Sequence, residues 1–252
     1  MEEILNWLNT LPPVQWAERM GPRLERAFLT GNRWKLYLQG LNVTFRLTIS
    51  ALIFGTLLGL VVAMVRTAYT QQRPGRRKNP LLGLLNALCQ VYTTVIRGTP
   101  MLVQLFIWTF VIFPTQRDKV LVGFIGLGVN SGAYVAEIIR GGLMSVDIGQ
   151  TEAGRSLGLG YIDTMRFIVI PQAFKAILPS LGNEFITLFK DTSLVQAIGG
   201  MEMLYYASTI GGRTFDYMPP LIGIALMYLA VVIVFTWLQG RLERRLRQSD
   251  RR

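Results

Sequence analysis

Four stretches of this chain carry no charged residue over lengths that match the thickness of a lipid bilayer: Leu47–Val65, Gly98–Gln116, Val120–Ala136 and Tyr217–Gly240. Crossing a hydrocarbon core of roughly 30 Å takes about 20 mostly apolar residues in a helix. The third run, at seventeen residues, lies at the short end of that range. A soluble protein can bury one such helix. Four in a chain of 252 residues are the pattern of an all-α, polytopic membrane protein.

Charge placement orients the spans. The net charge of +11 is concentrated, with five basic residues in Arg66–Lys78 and six in Arg241–Arg252, each group directly after an apolar run. Positive charge flanking a span marks the cytoplasmic side, where it meets anionic lipid, so no nucleic-acid partner is expected. If both basic segments are cytoplasmic, an even number of crossings separates them. The second span then runs outward near Gly98–Phe113, the third returns from Lys119 to Arg140, and the fifth ends inside at Gly240. Parity therefore requires a fourth crossing between Gln172 and Gly200, hidden from hydropathy by Lys175, Pro179, Glu184, Lys190 and Asp191. That most polar span is the one expected to line a pathway. The loop Glu202–Asp216 has Arg213 as its one basic residue, as an external loop should.

The expected organisation is an amphipathic, interface-lying segment over residues 1–35, a transmembrane region over 36–240 and a basic cytoplasmic tail over 241–252. The N-terminus is acidic at its start and has no cleavable apolar core. A single Cys89 and the absence of His speak against a disulfide framework and against zinc chemistry. No Gly-Lys pair occurs, so no phosphate-binding P-loop is present, and any ATP is bound by another chain. No nucleophile–base arrangement suggests an enzyme.

Between the third and fourth spans, TEAGRSLGLGYIDTMRFIVIP (Thr151–Pro171) stands out. Glu152 suits the first turn of a short helix, where an acid favours the N-terminal dipole. Ala153 and Gly154 are small enough for close approach to a partner. Gly158 and Gly160 suit a left-handed helix cap, and Pro171 suits the start of a new element. From composition, a docking helix and a solvated loop fit equally.

Glu152-Ala153-Gly154, Gly158, Ile168 and Pro171 resemble the EAA loop of bacterial ATP-binding-cassette importer permeases, with Gly154 for the second Ala and Ile170 for a Leu. RGTPMLVQLF (Arg97–Phe106), NSGAYVAEIIRGG (Asn130–Gly142), IPQAFKAILPSLGNEF (Ile170–Phe185) and KDTSL (Lys190–Leu194) are similar to permeases of polar-amino-acid importers. The resemblance implies five transmembrane helices of the type I importer fold in a bacterial plasma membrane, with a coupling loop at about residues 147–166. It implies a transport subunit without catalysis, paired with a second permease copy or a homologue. It also implies ATPase subunits, holding ATP and Mg, docked on Glu152, Ala153, Gly154 and Gly158, and an external solute-binding protein that delivers an amino acid.

An acid at the centre of a span costs on the order of 2.5–3.5 kcal/mol. Glu184 and Asp191, seven residues apart, share one helix face. A cation about 4 Å from one carboxylate gains about 4 kcal/mol at an effective dielectric of 20, enough to offset that cost. The cation could be a basic substrate, or Lys190 or Arg97; Glu137 and Arg140 are spaced to pair with each other. By the resemblance, KDTSL is shared across substrate preferences, which points to a structural or generic role for Asp191 within the expected substrate set. Glu184 varies more, and suits a cationic amino acid such as Arg, Lys or His, with neutral polar amino acids next. Thr99 followed by Pro100 suits a helix N-terminus within the membrane, aimed at an α-carboxylate, or else a kink that shapes the second span. Asn183 and Gly98 complete the expected substrate set. The alternative is a stand-alone secondary transporter or channel, against which the absence of an internal repeat and the EAA-like loop argue.

Overall fold

Lipid offers no hydrogen-bond partners, so spanning backbone must satisfy itself within helices. The computed structural model describes residues 20–71 and 79–249, with side chains to residue 246, and every regular element among them is helical. Expectations for residues 1–19, for the centre of the basic loop and for the end of the tail lie outside the described residues. The helices are α1 (Trp34–Thr70), α2 (Pro80–Gly98), α3 (Met101–Phe106), α4 (Lys119–Met144), α5 (Ile148–Ser156), α6 (Tyr161–Thr164), α7 (Ile170–Asp191), α8 (Met203–Thr214) and α9 (Met218–Ser249).

Caps set several starts. Asn79 accepts from the amides of Leu81 and Leu82 ahead of Pro80, and Asp118 accepts from Val120 and Leu121. Three helices, α1, α4 and α9, are long and apolar enough to cross a membrane. A fourth span is a broken pair: α2 and Met101–Ile112, bent by 109° at the break. The second crossing therefore begins at Pro80, and the charge-free run from Gly98 straddles the break. The remaining crossing, fourth in chain order, is α7, which is less apolar than the others yet forms one continuous helix where parity requires it.

The frame is the packing of α1 against α4. A Cβ on Gly55 would stand 2.8 Å from Ser131 Cβ, and one on Gly59 would stand 2.8 Å from the backbone nitrogen of Ala136. Small residues let two backbones approach where the hydrophobic effect gives little drive. Beside this seam Leu47, Ala51, Leu105, Val122, Leu127, Leu188, Val195 and Ile198 form the largest buried apolar cluster, joining α1, α3, α4, α7 and the 3-10 turn Thr192–Ile198 that follows it.

The bundle has two ends. At one lie the C-terminus of α1, α5 and the last turns of α9: Tyr161 donates to Gln71, and Glu243 lines the same cleft as Asp147. At the other lie α8 and the start of α1, where Gly40 abuts the Met203 backbone. Glu202 caps α8 there, accepting from Leu204 and Tyr205 amides at 2.9 Å and from Tyr228 of α9 at 3.1 Å, and it is wholly buried. The described part of the N-terminal segment packs at this end: Arg23 grips Asp216 with two bonds of 2.6 Å, and Phe28 fills the notch at Gly223. The Arg23 hydrogen bond holds the Asp216 carboxyl below its usual range.

Gly59→Val should lower the melting temperature and yield of the detergent-purified protein, an overpacking cost of about 1–3 kcal/mol. Gly83→Ala, whose nearest neighbour would be Tyr69 at 3.5 Å, should leave thermal unfolding unchanged or slightly raised.

Candidate translocation site and coupling loop

Helix α7 is two-faced. Ala173, Ile177, Leu188 and Phe189 are buried. Gln172, Ala176, Ser180, Asn183, Thr187 and Lys190, at spacings of three and four, form a stripe that is exposed or half-exposed. From Gln172 to Lys190 the stripe runs about 27 Å at 1.5 Å per residue, close to the hydrocarbon thickness. Glu184 and Asp191 lie together along one edge of it.

At mid-height a layer of polar side chains surrounds the centre of α4. Ser131, fully buried, donates to Glu184 Oε1 at 2.7 Å. Its neighbour Asn130 donates to Gln104 Oε1 at 3.0 Å. Gln104 Nε2 in turn donates to Ile96 O at 2.7 Å and to Thr99 Oγ1 at 2.8 Å. Tyr92 donates to Val129 O at 2.6 Å. Among the described residues no Lys or Arg lies within ion-pairing distance of Glu184 or Asp191, and Glu184 Oε2 accepts no further hydrogen bond. The expected Glu137–Arg140 pair is present, at 2.7 Å, and Arg66 of α1 joins it. Arg97 lies over the Tyr134 ring, 5.3 Å from its centroid. The half-buried carboxylates thus keep acceptor capacity open to a cationic ligand.

The remaining expected substrate residues are spread around this layer. Asn183 points the other way, accepting from Gln239 of α9 at 3.0 Å. Thr99 is extended, and its hydroxyl donates to Val95 O at 2.8 Å, so it does not cap α3; Pro100 stands at that position. Gly98 is exposed with open space around it. Gln104, which fixes the break by bonding both of its sides and reaching α4, lacks a signal in the sequence because Gln follows no positional rule there.

In the loop, α5 begins earlier than its acid suggests: Asp147, accepting from Gly149 at 2.7 Å, is the cap, and Glu152 is exposed in mid-helix. Gly158 has φ +81° and ends the helix as expected, whereas Gly160 is extended and begins α6. Ala153 is exposed. Gly154 is buried, and its close approach is to its own chain: a Cβ there would lie 2.9 Å from Ile168 and 3.1 Å from Thr164. Pro171 lies in the first turn of α7, which is entered from α6 through a π-helical turn, Met165–Val169.

A family model for the binding-protein-dependent transport system inner membrane component matches residues 79–248. The chain belongs to that family. It is 34% identical over 216 residues to the arginine transport system permease protein ArtQ of Bacillus subtilis (strain 168), covering 84% of this chain and 93% of that one. It is 35% identical over 243 residues to the L-cystine transport system permease protein TcyB of the same organism, covering 95% and 97%. The crystal structure of an amino acid ABC transporter with histidines superposes with a TM-score of 0.75 at 38% identity, covering 84% of this chain and 94% of the other. The protein is a multi-pass inner-membrane permease subunit of an ATP-driven amino-acid uptake system with the type I importer fold. ATP hydrolysis resides in a separate subunit, and ATPase and binding-protein partners complete the system.

Gln104→Leu removes the acceptor for Asn130 and the donor to Ile96 and Thr99. It should destabilise the purified protein by about 1–3 kcal/mol in denaturant or thermal unfolding, the cost of stranding buried polar groups.

Proposed function

We propose that the polar stripe of α7 lines the translocation route, and that Glu184 selects a cationic amino acid as it passes. The carrying observation is the stripe. Asn183, Thr187 and Lys190 are exposed on a helix that spans the bundle, and facing hydrocarbon would cost them heavily. A second permease copy or homologue covers that face, and the space between the two holds water and substrate. Glu184, with an unused oxygen and a Ser131 hydrogen bond that fixes its rotamer, takes the cationic group. Asp191, at the α8 end of the same edge, adds negative potential near the entrance. Thr99 and Gly98 stand beside the layer and border the route.

The α5 end is cytoplasmic, as the positive charge after α1 and in the tail requires, and so is the C-terminus. There α5 and α6 carry apolar residues outside any span: Leu157 is 80% exposed, Ile148 75% and Ile162 74%. An exposed apolar patch beyond the lipid fits a protein partner. The partner is the ATPase, which holds ATP and magnesium, while this chain binds no cofactor. Glu152, Ala153 and Gly158 lie on the exposed side and take part in docking, whereas Gly154 anchors the loop to α6. The solute-binding protein delivers its amino acid at the α8 end, and closure of the ATPases moves α5.

In proteoliposomes holding the whole complex, Glu184→Gln should lower arginine uptake relative to glutamine uptake by about tenfold or more, since a hydrogen bond to a charged group is worth about 1.5–3 kcal/mol. An unchanged preference would refute the assignment. Leu157→Asp should abolish co-purification of the ATPase while leaving the permease folded, as judged by its helical circular dichroism. Gly158→Val, strained at positive φ by about 1–2 kcal/mol, should weaken the same assembly.

A further inference from the structure

Helices α1 and α7 meet near the α8 end, where the rings of Phe45 and Phe189 lie 5.1 Å apart between centroids. Toward the α5 end each is held to α4 instead. There Gly59 of α1 abuts the Ala136 backbone, and Ile177 of α7 would stand 2.3 Å from a Cβ on Gly142. Between the two helices a cleft of about 430 Å³ opens. Leu60, Met64, Leu143, Ile170, Phe174 and Leu181 are among its walls, and none of its lining residues is charged. Along α1 it reaches from Thr56 to Gln71. That is about 22 Å at 1.5 Å per residue, more than the roughly 15 Å half-thickness of a hydrocarbon core. Its mouth is polar: the Tyr161 hydroxyl donates to the Gln71 side chain there.

Water is a poor occupant, because such walls offer it few hydrogen-bond partners. The polar stripe of α7 points elsewhere: the five α7 residues of the cleft, from Ile170 to Leu181, centre about 120° around the helix from it. The cleft opens instead beside side chains left bare at hydrocarbon depth, with Met64 54% and Phe174 55% exposed. At its mouth the sequence turns basic. Gln71 is followed by Arg73, Arg76, Arg77 and Lys78, and Arg166 adjoins Met165 of the lining. Basic residues directly after a span attract lipid phosphate. We propose that this cleft is a lipid site, which takes one acyl chain of an anionic phospholipid from the cytoplasmic leaflet, its phosphate beside Gln71 and the basic residues that follow. The site rests on the cytoplasmic placement of the α5 end and on the stripe, rather than this flank, meeting the second permease half; it does not depend on Glu184. The chain fills the gap between α1 and the loop half of α7. On this side α7 therefore moves against a lipid chain, and on the other against α4.

The test uses the photoreactive substitution Phe174→p-benzoylphenylalanine in the complete transporter, held in phosphatidylcholine nanodiscs with phosphatidylglycerol as a minor component. After illumination, intact-mass spectrometry should show the permease carrying phosphatidylglycerol, enriched several-fold over its share of the membrane. Leu60→Trp and Ala68→Phe, which fill the cleft from α1, should each lower that adduct several-fold while helical circular dichroism and ATPase co-purification stay unchanged. Should a filling variant fail to assemble, the other variant and the lipid preference of the unfilled protein decide. Adducts in the supply ratio of the two lipids, or undiminished by filling, would overturn the site. So would a cross-link from position 174 to the second permease half or to the ATPase. The same probe as Ala176→p-benzoylphenylalanine, on the stripe, tests the other reading separately and should join the second permease half. Lipid adducts at 176, with the phosphatidylglycerol preference kept at 174, remove the stripe assignment and keep the lipid site.

Discussion

A polar group inside a bilayer has to find a partner, and the architecture is arranged around where those partners are. The apolar spans need none: α1 and α9 present Leu, Ile and Val outward over most of their lengths. Two groups of polar residues lie along the α7 side of the bundle. One is the layer at the middle of α4, where Asn130 bonds Gln104 of α3 and Ser131 bonds Glu184 of α7. The other is the outward stripe of α7, where Gln172 and Asn183 bond within the chain and Thr187 and Lys190 face outward. On the reading proposed above, that exposed face would meet a second permease half rather than lipid.

The layer persists because the frame around it cannot deform. Gly55 and Gly59 on α1 sit against the backbone and small side chains of α4 with no space for a methyl group, so the two helices hold one register. That register places Asn130 and Ser131 at the level of the α2–α3 break and of Glu184. The break itself leaves backbone carbonyls at Ile96 and Thr99 without helical partners, and Gln104 supplies donors to both. An irregular backbone at membrane depth is tolerated only where such side chains re-satisfy it.

Much of this was legible in the sequence, and the reasons for the rest are physical. Charge-free runs revealed the apolar spans because lipid selects on side-chain transfer energy alone. Parity found α7, which hydropathy cannot see, because topology depends on basic loops rather than on the span. The EAA spacing located α5, since helix caps such as Gly158 follow local backbone rules. The true start of the second crossing was missed, because Arg97 at the break splits it and the run counted from Gly98 leaves out Asn79–Ile96, itself free of charge. Thr99 looked like a cap by local rule, but a side chain five residues away claimed its hydroxyl. Glu202 begins the stretch expected as an external loop, yet it caps α8 and is buried beside Tyr228 of α9, a contact no local pattern encodes. Gly154 looked like a notch for a partner and serves its own chain's α6.

Gly154 locks α5 against Thr164 and Ile168, so α5 and the π-helical turn Met165–Val169 form one unit. The turn runs without interruption into α7, and Glu184 lies on the same helix beyond Pro179. Pro179 lacks an amide hydrogen, which leaves the helix a compliant point between the loop and the acid. Gln239 donates to the Pro179 carbonyl and to Asn183, bracing that point from α9. A displacement of α5 is therefore delivered to α7 as a rotation or bend about Pro179 rather than dissipated in a flexible connection. On the reading proposed above, such a movement would turn the Glu184 edge relative to Ser131, and with it the face offered to the cargo.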